Sequence, residues 1–310
     1  ATVAAHAPVA PDLASHAVPA TGPDLPRARP ALAQGARGPA GLFAAVQVAH
    51  LPFTRNFARL QPAPREVWLE VGSYNQDLLR DEWRMKTAFR RGAFLITFEP
   101  LLDKYAWLLA RSGAARYAMA ELGFQHPRGM VLPFAVGTCQ GSASFYVSPF
   151  DICSSMLRHR GRDFAEDPRE GRWSPWVKDV CAVTAEERRV PCVSLREVVE
   201  EWLGGRPVEH VKIDTQGNDL DVVRSAGRSV NKLRTVRMEA LCDSAAAPYE
   251  GQPNCSTVVA EMQRLGFVTD FDPAYCRDCR DEGGGQRTEV NIDFARAAAL
   301  RNRTRPRLRW

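Results

Sequence analysis

The sequence predicts an α/β chain: a mostly parallel sheet with helices on both faces and an antiparallel closing strand. Three observations carry this. Short apolar runs, too short for helices, end abruptly at Gly72, at Glu99-Pro100 and at Asp214, as strands buried on both faces do. Segments with apolar residues at helical spacing separate those runs, and strands joined through helices are parallel. The last two runs, 267–271 and 289–294, have no helical segment between them and read as a hairpin.

Residues 67–71 (Val-Trp-Leu-Glu-Val) form the first expected strand, followed by a polar turn and a helical stretch to about Arg90. Residues 94–98 form the second. Leu101, Leu102, Tyr105, Leu108 and Leu109 then share one helical face, the stripe a core-facing helix needs. A third strand is expected over 130–136, and 143–147 alternates like an added edge strand. Residues 150–190 are rich in Arg, Asp, Pro and Trp without a clear period and read as an insertion or lid. Within it, Trp173 and Trp176 read as anchors of a loop, with a sugar platform as the alternative. Ser194-x-x-Glu197 is a capping box opening a helix that Gly204-Gly205 stops. Strands follow over 208–214 and 235–239. Asn218 is placed to cap a helix ending at Gly227, and Ser256 or Thr257 to begin another.

Ten prolines, many alanines and little apolar patterning in residues 1–64 describe a chain that cannot bury enough surface to offset its entropy. This segment reads as a disordered leader or stalk, 65–300 as the folded domain, and 301–310 as a basic tail. The net charge is +5. Five arginines without an acid in 301–310 and a balance of +3 in 1–64 exceed that total, which leaves 65–300 at −3. The charge therefore does not point to nucleic acid. No apolar run approaches the roughly 20 residues that span a bilayer. Eight cysteines at irregular spacings, with a single C-x-x-C at Cys276 and Cys279, suit buried thiols with one or two disulfides better than zinc. With the sequons at Asn254 and Asn302, they point to the secretory pathway or Golgi lumen rather than the cytoplasm.

Ligands of open parallel sheets bind at the carboxyl ends of strands. Three such ends carry polar groups here: Glu70-Val71-Gly72-Ser73, Phe98-Glu99-Pro100, and Lys212-Ile213-Asp214-Thr215-Gln216-Gly217. A dinucleotide turn needs G-x-G-x-x-G to approach a pyrophosphate, and the turn after residue 71 has one glycine and Asp77, which would repel phosphate. A cationic sulfonium cofactor suits it better, with Glu99 placed to accept from ribose hydroxyls.

The stretch Val193-Ser194-Leu195-Arg196-Glu197-Val198, then Val211 to Val223 with Lys212-Ile213-Asp214-Thr215-Gln216-Gly217-Asn218-Asp219 at its centre, resembles the signature of FkbM-type methyltransferases. Glu239 after Val236 and Met238, Phe98-Glu99-Pro100, and the segments 131–137 and 144–155 fit the same family. The resemblance covers roughly 66–295. It implies a Rossmann-like methyltransferase fold with a seven-stranded sheet and S-adenosyl-L-methionine as cofactor. The expected activity is O-methylation of a hydroxyl on a small molecule or carbohydrate. Glu70, Gly72, Ser73, Asn75, Glu99 and Pro100 are the expected cofactor residues. Asp214, Glu239 and Lys212 are the expected catalytic ones, with Asp214 first and Glu239 second as the base; Asp219 reads equally as a first-turn helix acid. His210, inside a strand, reads as a packed histidine. No metal is required. The family's first motif is usually D-x-G-A-N-x-G; here Glu70 replaces Asp, Ser73 replaces Ala, and the second glycine is absent. That departure motivates a second reading, a binding or scaffolding protein that keeps the fold without catalysis.

Overall fold

The structure is a computed structural model that describes residues 64–73, 87–111, 129–279 and 287–297. The leader, the basic tail, Asn75 and the sequon at Asn302 lie outside the described residues.

Seven strands form the main sheet: β1 (Glu66–Val71), β2 (Ala93–Phe98), β3 (Gly129–Leu132), β7 (His210–Ile213), β8 (Thr235–Leu241), β9 (Phe267–Val268) and β10 (Glu289–Arg296), in the spatial order β3-β2-β1-β7-β8-β10-β9. β10 runs antiparallel to both its neighbours, and the other paired strands are parallel. The antiparallel strand expected at the edge thus sits one place inside it, between β8 and β9.

Alternation along each strand separates the faces. Leu69, Val71, Ile96, Phe98, Val211, Ile213, Val236 and Met238 join one large apolar core. Trp68 and Leu95 point the other way, against Ala88 and Ala93. Both faces of β1, β2 and β7 are buried almost throughout, the covered condition of a parallel sheet. Into the large core fold Leu195, Val198, Val199, Trp202 and Leu203. The capping hydrogen bond that starts this segment is present, Glu197 N–H to Ser194 Oγ at 3.1 Å. The helix Leu195–Glu197 widens into a π-turn over Val198–Trp202. Trp202 packs on Phe98 and Phe134. His210 is packed as expected, its ring against Trp68 and its Nδ1 2.9 Å from Thr235 Oγ1.

Four local expectations change. The run 130–136 is two strands: β3 ends at Leu132, and β4 (Ala135–Val136) belongs to a second sheet, ordered β4-β6-β5, with β5 (Gly141–Val147) and β6 (Glu186–Val193). The segment read as an edge strand is β5, and much of the patternless insertion hangs between β5 and β6. Leu102, assigned to a buried stripe, is 56% exposed, whereas Leu101 and Leu108 are buried. Helix Cys255–Arg264 starts one residue before Ser256, because Asn254 Oδ1 accepts from Thr257 N–H at 3.1 Å. Asn218 is an N-cap by position alone; its side chain turns to Met156 Sδ at 3.7 Å.

All eight cysteines are paired, in place of the one or two disulfides expected beside buried thiols: Cys139–Cys192, Cys153–Cys181, Cys242–Cys279 and Cys255–Cys276. The first ties the β4–β5 turn to β6, and the second closes the insertion. The other two split the C-x-x-C between the end of β8 and the start of helix Cys255–Arg264. Trp173 anchors the insertion, its ring against Phe164 and its Nε1–H donating to the Ala246 carbonyl at 2.9 Å. Trp176 is 48% exposed.

Candidate active site

Strand order reverses at β1, whose neighbours are β2 and β7, so a crevice opens at the carboxyl ends of these three strands. Gly72 ends β1 with φ +75°, and a Cβ there would lie 1.8 Å from the Asp214 carbonyl oxygen. Only glycine fits a turn with both that conformation and that approach. The end of β1 is therefore fastened to the end of β7, where Asp214 N–H also donates to the Val71 carbonyl at 2.9 Å. A cavity of about 200 Å³ lies over this junction, lined by Gly72, Glu99, Pro100 and Asp214, with Phe134, Val136, Ile152 and Gln216 among the rest.

The structure brings four of the expected residues, Gly72, Glu99, Pro100 and Asp214, to the wall of one cavity. Glu99 is nearly buried, and its Oε1 accepts from Leu101 N–H at 3.0 Å. Ser73 is fully buried, and its Oγ has no hydrogen-bond partner among the described residues. Glu70 is also fully buried, beside Lys212 in the register of β1 and β7, and accepts from Thr97 Oγ1 at 3.2 Å. Neither Glu70 nor Ser73 is on the cavity wall. Lys212 Nζ donates to Asp214 Oδ2 at 3.0 Å in a pair whose lysine side chain is 8% exposed.

The next strand ends add carboxyls. Register puts Glu239 of β8 opposite Asn291 of β10 and Leu241 opposite Glu289, so Glu239 and Glu289 are diagonal neighbours on one face. Asp219, at the start of helix Asp219–Arg224, is buried; its Oδ2 accepts from Thr215 Oγ1 at 3.2 Å, and its Oδ1 has no partner among the described residues. Burial, then the nearby Asp214, pushes the Asp219 carboxyl up to about 7. Burial, then Asp214 and Asp219, pushes Glu289 up to about 8, against an opposing hydrogen bond from Gln252. Glu239 is raised well above the carboxylate range by burial first, then by Glu289, Asp214 and Asp219, with Lys212 opposing. Carboxyls crowded in a poorly solvated place cannot all ionise, so the group holds protons near neutral pH.

The loop after β7 joins cavity and cluster. Gln216 takes φ +56°, a left-handed conformation uncommon for a residue other than glycine. Ser155 Oγ holds it by donating to the Gln216 carbonyl at 2.8 Å. The Gln216 side chain donates from Nε2 to Asp214 Oδ1 at 3.1 Å, and its Oε1 accepts from Tyr249 Oη at 3.0 Å. Both oxygens of Asp214 are thus occupied. Tyr249 Oη also lies 2.9 Å from the Cys153 carbonyl, which accepts from His159 Nε2 at 2.9 Å as well. Gln216, Tyr249, Gln252 and Glu289 were not singled out from sequence. For Gln216 a signal existed, its place between Asp214 and Gly217; for the other three the signal is tertiary.

No curated protein matches the sequence. Among solved structures, two variants of the 16S rRNA (adenine(1408)-N(1))-methyltransferase from Catenulisporales acidiphilia are similar. One is 15% identical with a TM-score of 0.33, covering 78% of this chain and 93% of that one. The other is 12% identical with a TM-score of 0.34, covering 78% and 90%. Residues 70–269 match the Methyltransferase FkbM domain, a span that takes in Gly72, Glu99, Asp214, Asp219 and Glu239, and the chain belongs to the FkbM methyltransferase family.

Proposed function

We propose that the chain transfers a methyl group from S-adenosyl-L-methionine to a hydroxyl of a small molecule or carbohydrate. The observation that carries this is the meeting of Gly72, Glu99 and Asp214 on one cavity wall at the reversal of strand order. The residues present fit the cofactor. The glycine turn lets backbone approach closely, and Glu99 at the end of β2 suits a ribose diol. S-adenosyl-L-methionine supplies a methyl group on a cationic sulfur, open to in-line attack by an oxygen lone pair.

The chain's own residues then have three tasks. Glu99, Gly72 and Pro100 hold the donor, and Asp214 orients what lies between donor and acceptor. Glu239 would take the acceptor's proton as the O–H bond breaks, and the acceptor oxygen would form its bond to the methyl carbon as that carbon's bond to sulfur breaks and the neutral thioether S-adenosylhomocysteine leaves. Burial and the neighbouring carboxyls give Glu239 a stronger hold on a proton than an ordinary carboxylate has. Asp214 is less suited, because Lys212 and Gln216 already occupy its oxygens. Lys212 pairs directly with Asp214 and fixes its Oδ2.

The folded part at −3 supports a neutral acceptor over nucleic acid. Among the described residues no helix is long and apolar enough to cross a membrane. Four disulfides support maturation in an oxidising compartment such as the secretory pathway or Golgi lumen. Calorimetric titration with S-adenosylhomocysteine, then a labelled-methyl screen against hydroxyl compounds, tests the function. Binding plus base-stable methyl ether products is the expected result. No binding at millimolar ligand favours the scaffold reading.

A further inference from the structure

The cavity at the strand ends continues past Glu99. In the order β2-β1-β7, Glu99 and Asp214 follow strands two places apart, about 10 Å at the usual spacing of neighbouring strands, with Gly72 between them. Beyond Glu99 the wall is carried on by Leu101 and by Lys104, in the first turn of the helix Leu102–Arg111. Leu101 packs with Ala135 and Phe145 in the apolar core of the second sheet, and all three line the cavity. Lys104 meets Asp151 of the insertion, whose neighbour Ile152 also lies on the wall. The end of the cavity beyond Glu99 is therefore apolar apart from one pair of charges.

Asp151 is held firmly in that wall. It opens the short 3-10 turn Asp151–Cys153, and its carbonyl accepts from Ser154 N–H at 3.1 Å. Cys153 is bonded to Cys181, and the Cys153 carbonyl accepts from Tyr249 Oη and His159 Nε2, each at 2.9 Å. Lys104 Nζ stands 2.6 Å from Asp151 Oδ2, so the helix after β2 and the insertion are joined across the cavity. The pair uses Oδ2 and leaves Oδ1 to other donors. A carboxylate fixed by its turn and by one of its own oxygens can present the other in a set direction.

Resting on the methyltransferase reading above, we propose that Asp151 selects the base of the cofactor, its Oδ1 accepting a hydrogen bond from the exocyclic amine of adenine. With the methyl group toward Asp214 and the ribose at Glu99, the base is left the end of the cavity walled by Leu101, Phe145 and Ile152. A purine asks for apolar surface on its faces and an acceptor for its amine, the few placed polar groups of an otherwise apolar pocket. Lys104 is a donor only, and Glu99 is taken up by Leu101 N–H and the ribose. Asp151 is the acceptor that remains at this end. Lys104 then acts as a positioning residue, through the Asp151 oxygen that it holds.

The test is calorimetric titration of the full chain with S-adenosylhomocysteine and with its analogue whose base is unsubstituted purine, lacking the 6-amino group. The parent binds the analogue roughly ten- to a hundredfold more weakly, the worth of a charge-assisted hydrogen bond. In Asp151→Ala the two ligands bind within about twofold of each other, because the amine and its acceptor act as one pair. Asp151→Asn keeps an acceptor without the charge and retains part of the preference. Glu99→Ala weakens both ligands alike and leaves their ratio as in the parent. Equal affinity of the parent for the two ligands overturns the proposal, as does a preference that survives in Asp151→Ala. A loss in Asp151→Ala that is seen with S-adenosylhomocysteine but not with 5′-methylthioadenosine, which lacks the amino-acid end, overturns it in favour of Asp151 facing that end. Failure of the parent to bind S-adenosylhomocysteine removes the methyltransferase reading and this proposal with it, whereas binding without preference removes this proposal alone.

Discussion

At the ends of β1 and β2 the cavity wall carries a glycine and one carboxylate, Glu99, while Glu70 and Ser73 lie buried off it. At the ends of β7, β8 and β10 four carboxyls gather around one lysine. The first side offers backbone, a turn and a single acceptor, which is what a cofactor with a fixed shape and a ribose diol needs. The second offers a store of protons and acceptors, which is what an acceptor that must lose a proton needs. Asp214 belongs to both, since it lines the cavity and shifts the protons of the cluster. The contrast teaches that the fold can keep a glycine turn with few acceptors and a buried carboxyl cluster on separate strands and join them through a single residue, Asp214.

The largest expected effect breaks the second side alone. Glu239→Gln keeps shape and removes basicity, so turnover falls about 10²–10⁴-fold with cofactor affinity unchanged, as single-turnover rates and calorimetry would show. Asp214→Asn touches both sides, so turnover and cofactor affinity fall together. If Asp214→Asn lowers turnover alone and Glu239→Gln does nothing, the base is Asp214.

Next in size is the cluster's cost in stability. A carboxyl with an ordinary affinity when unfolded and one near 7 when folded keeps its proton in the native state over a range where the unfolded chain has lost it. The contribution of Asp219 is therefore fully present below about pH 4 and is lost as pH rises to about 7, at up to ~1.4 kcal/mol per pH unit. Asp219→Asn removes this slope, so thermal melts of variant and parent diverge between pH 5 and about 7 with the variant the more stable at the upper end. Parallel curves would show that Asp219 titrates normally.

The first side predicts a smaller change. Glu99→Ala weakens S-adenosylhomocysteine binding roughly ten- to a hundredfold, the worth of charge-assisted hydrogen bonds, with the melting temperature little changed. Normal affinity would remove Glu99 from the ribose site.

What the sequence made legible follows the same division. Glu70 to Ser73, Glu99-Pro100 and Lys212 to Gly217 are contiguous, each at the end of an apolar run, so these strand ends could be read residue by residue. The carboxyl cluster is assembled by register and loops. Glu289 lay in an expected strand, but its approach to Asp214 depends on β10 running antiparallel between β8 and β9. Tyr249 and Gln252 lie in a stretch with no period at all. β6 was hidden because its first half, Glu186-Glu187-Arg188-Arg189, is charged and largely exposed, with burial beginning at Val190. Cysteine pairing had no local signal either, since Cys276 and Cys279 bond to different partners.

The smallest expected effect tests the strap between insertion and crevice. Tyr249 Oη has one proton and two acceptors in reach, Gln216 Oε1 at 3.0 Å and the Cys153 carbonyl at 2.9 Å. In Tyr249→Phe the Cys153 carbonyl still accepts from His159 Nε2, whereas Gln216 Oε1 loses this donor. The cost to stability is then about 0.5–1.5 kcal/mol, the net worth of one hydrogen bond. The functional loss comes through Gln216: at φ +56° it depends on outside contacts to stay in place, and its Nε2 is what fixes Asp214 Oδ1. Turnover should drop several-fold and cofactor affinity only slightly, because Gly72 and Glu99 are untouched. A turnover equal to the parent's would mean that Ser155, which donates to the Gln216 carbonyl at 2.8 Å, holds the loop by itself. Combining Tyr249→Phe with Ser155→Ala would then release it, with a loss greater than the two separate effects added together.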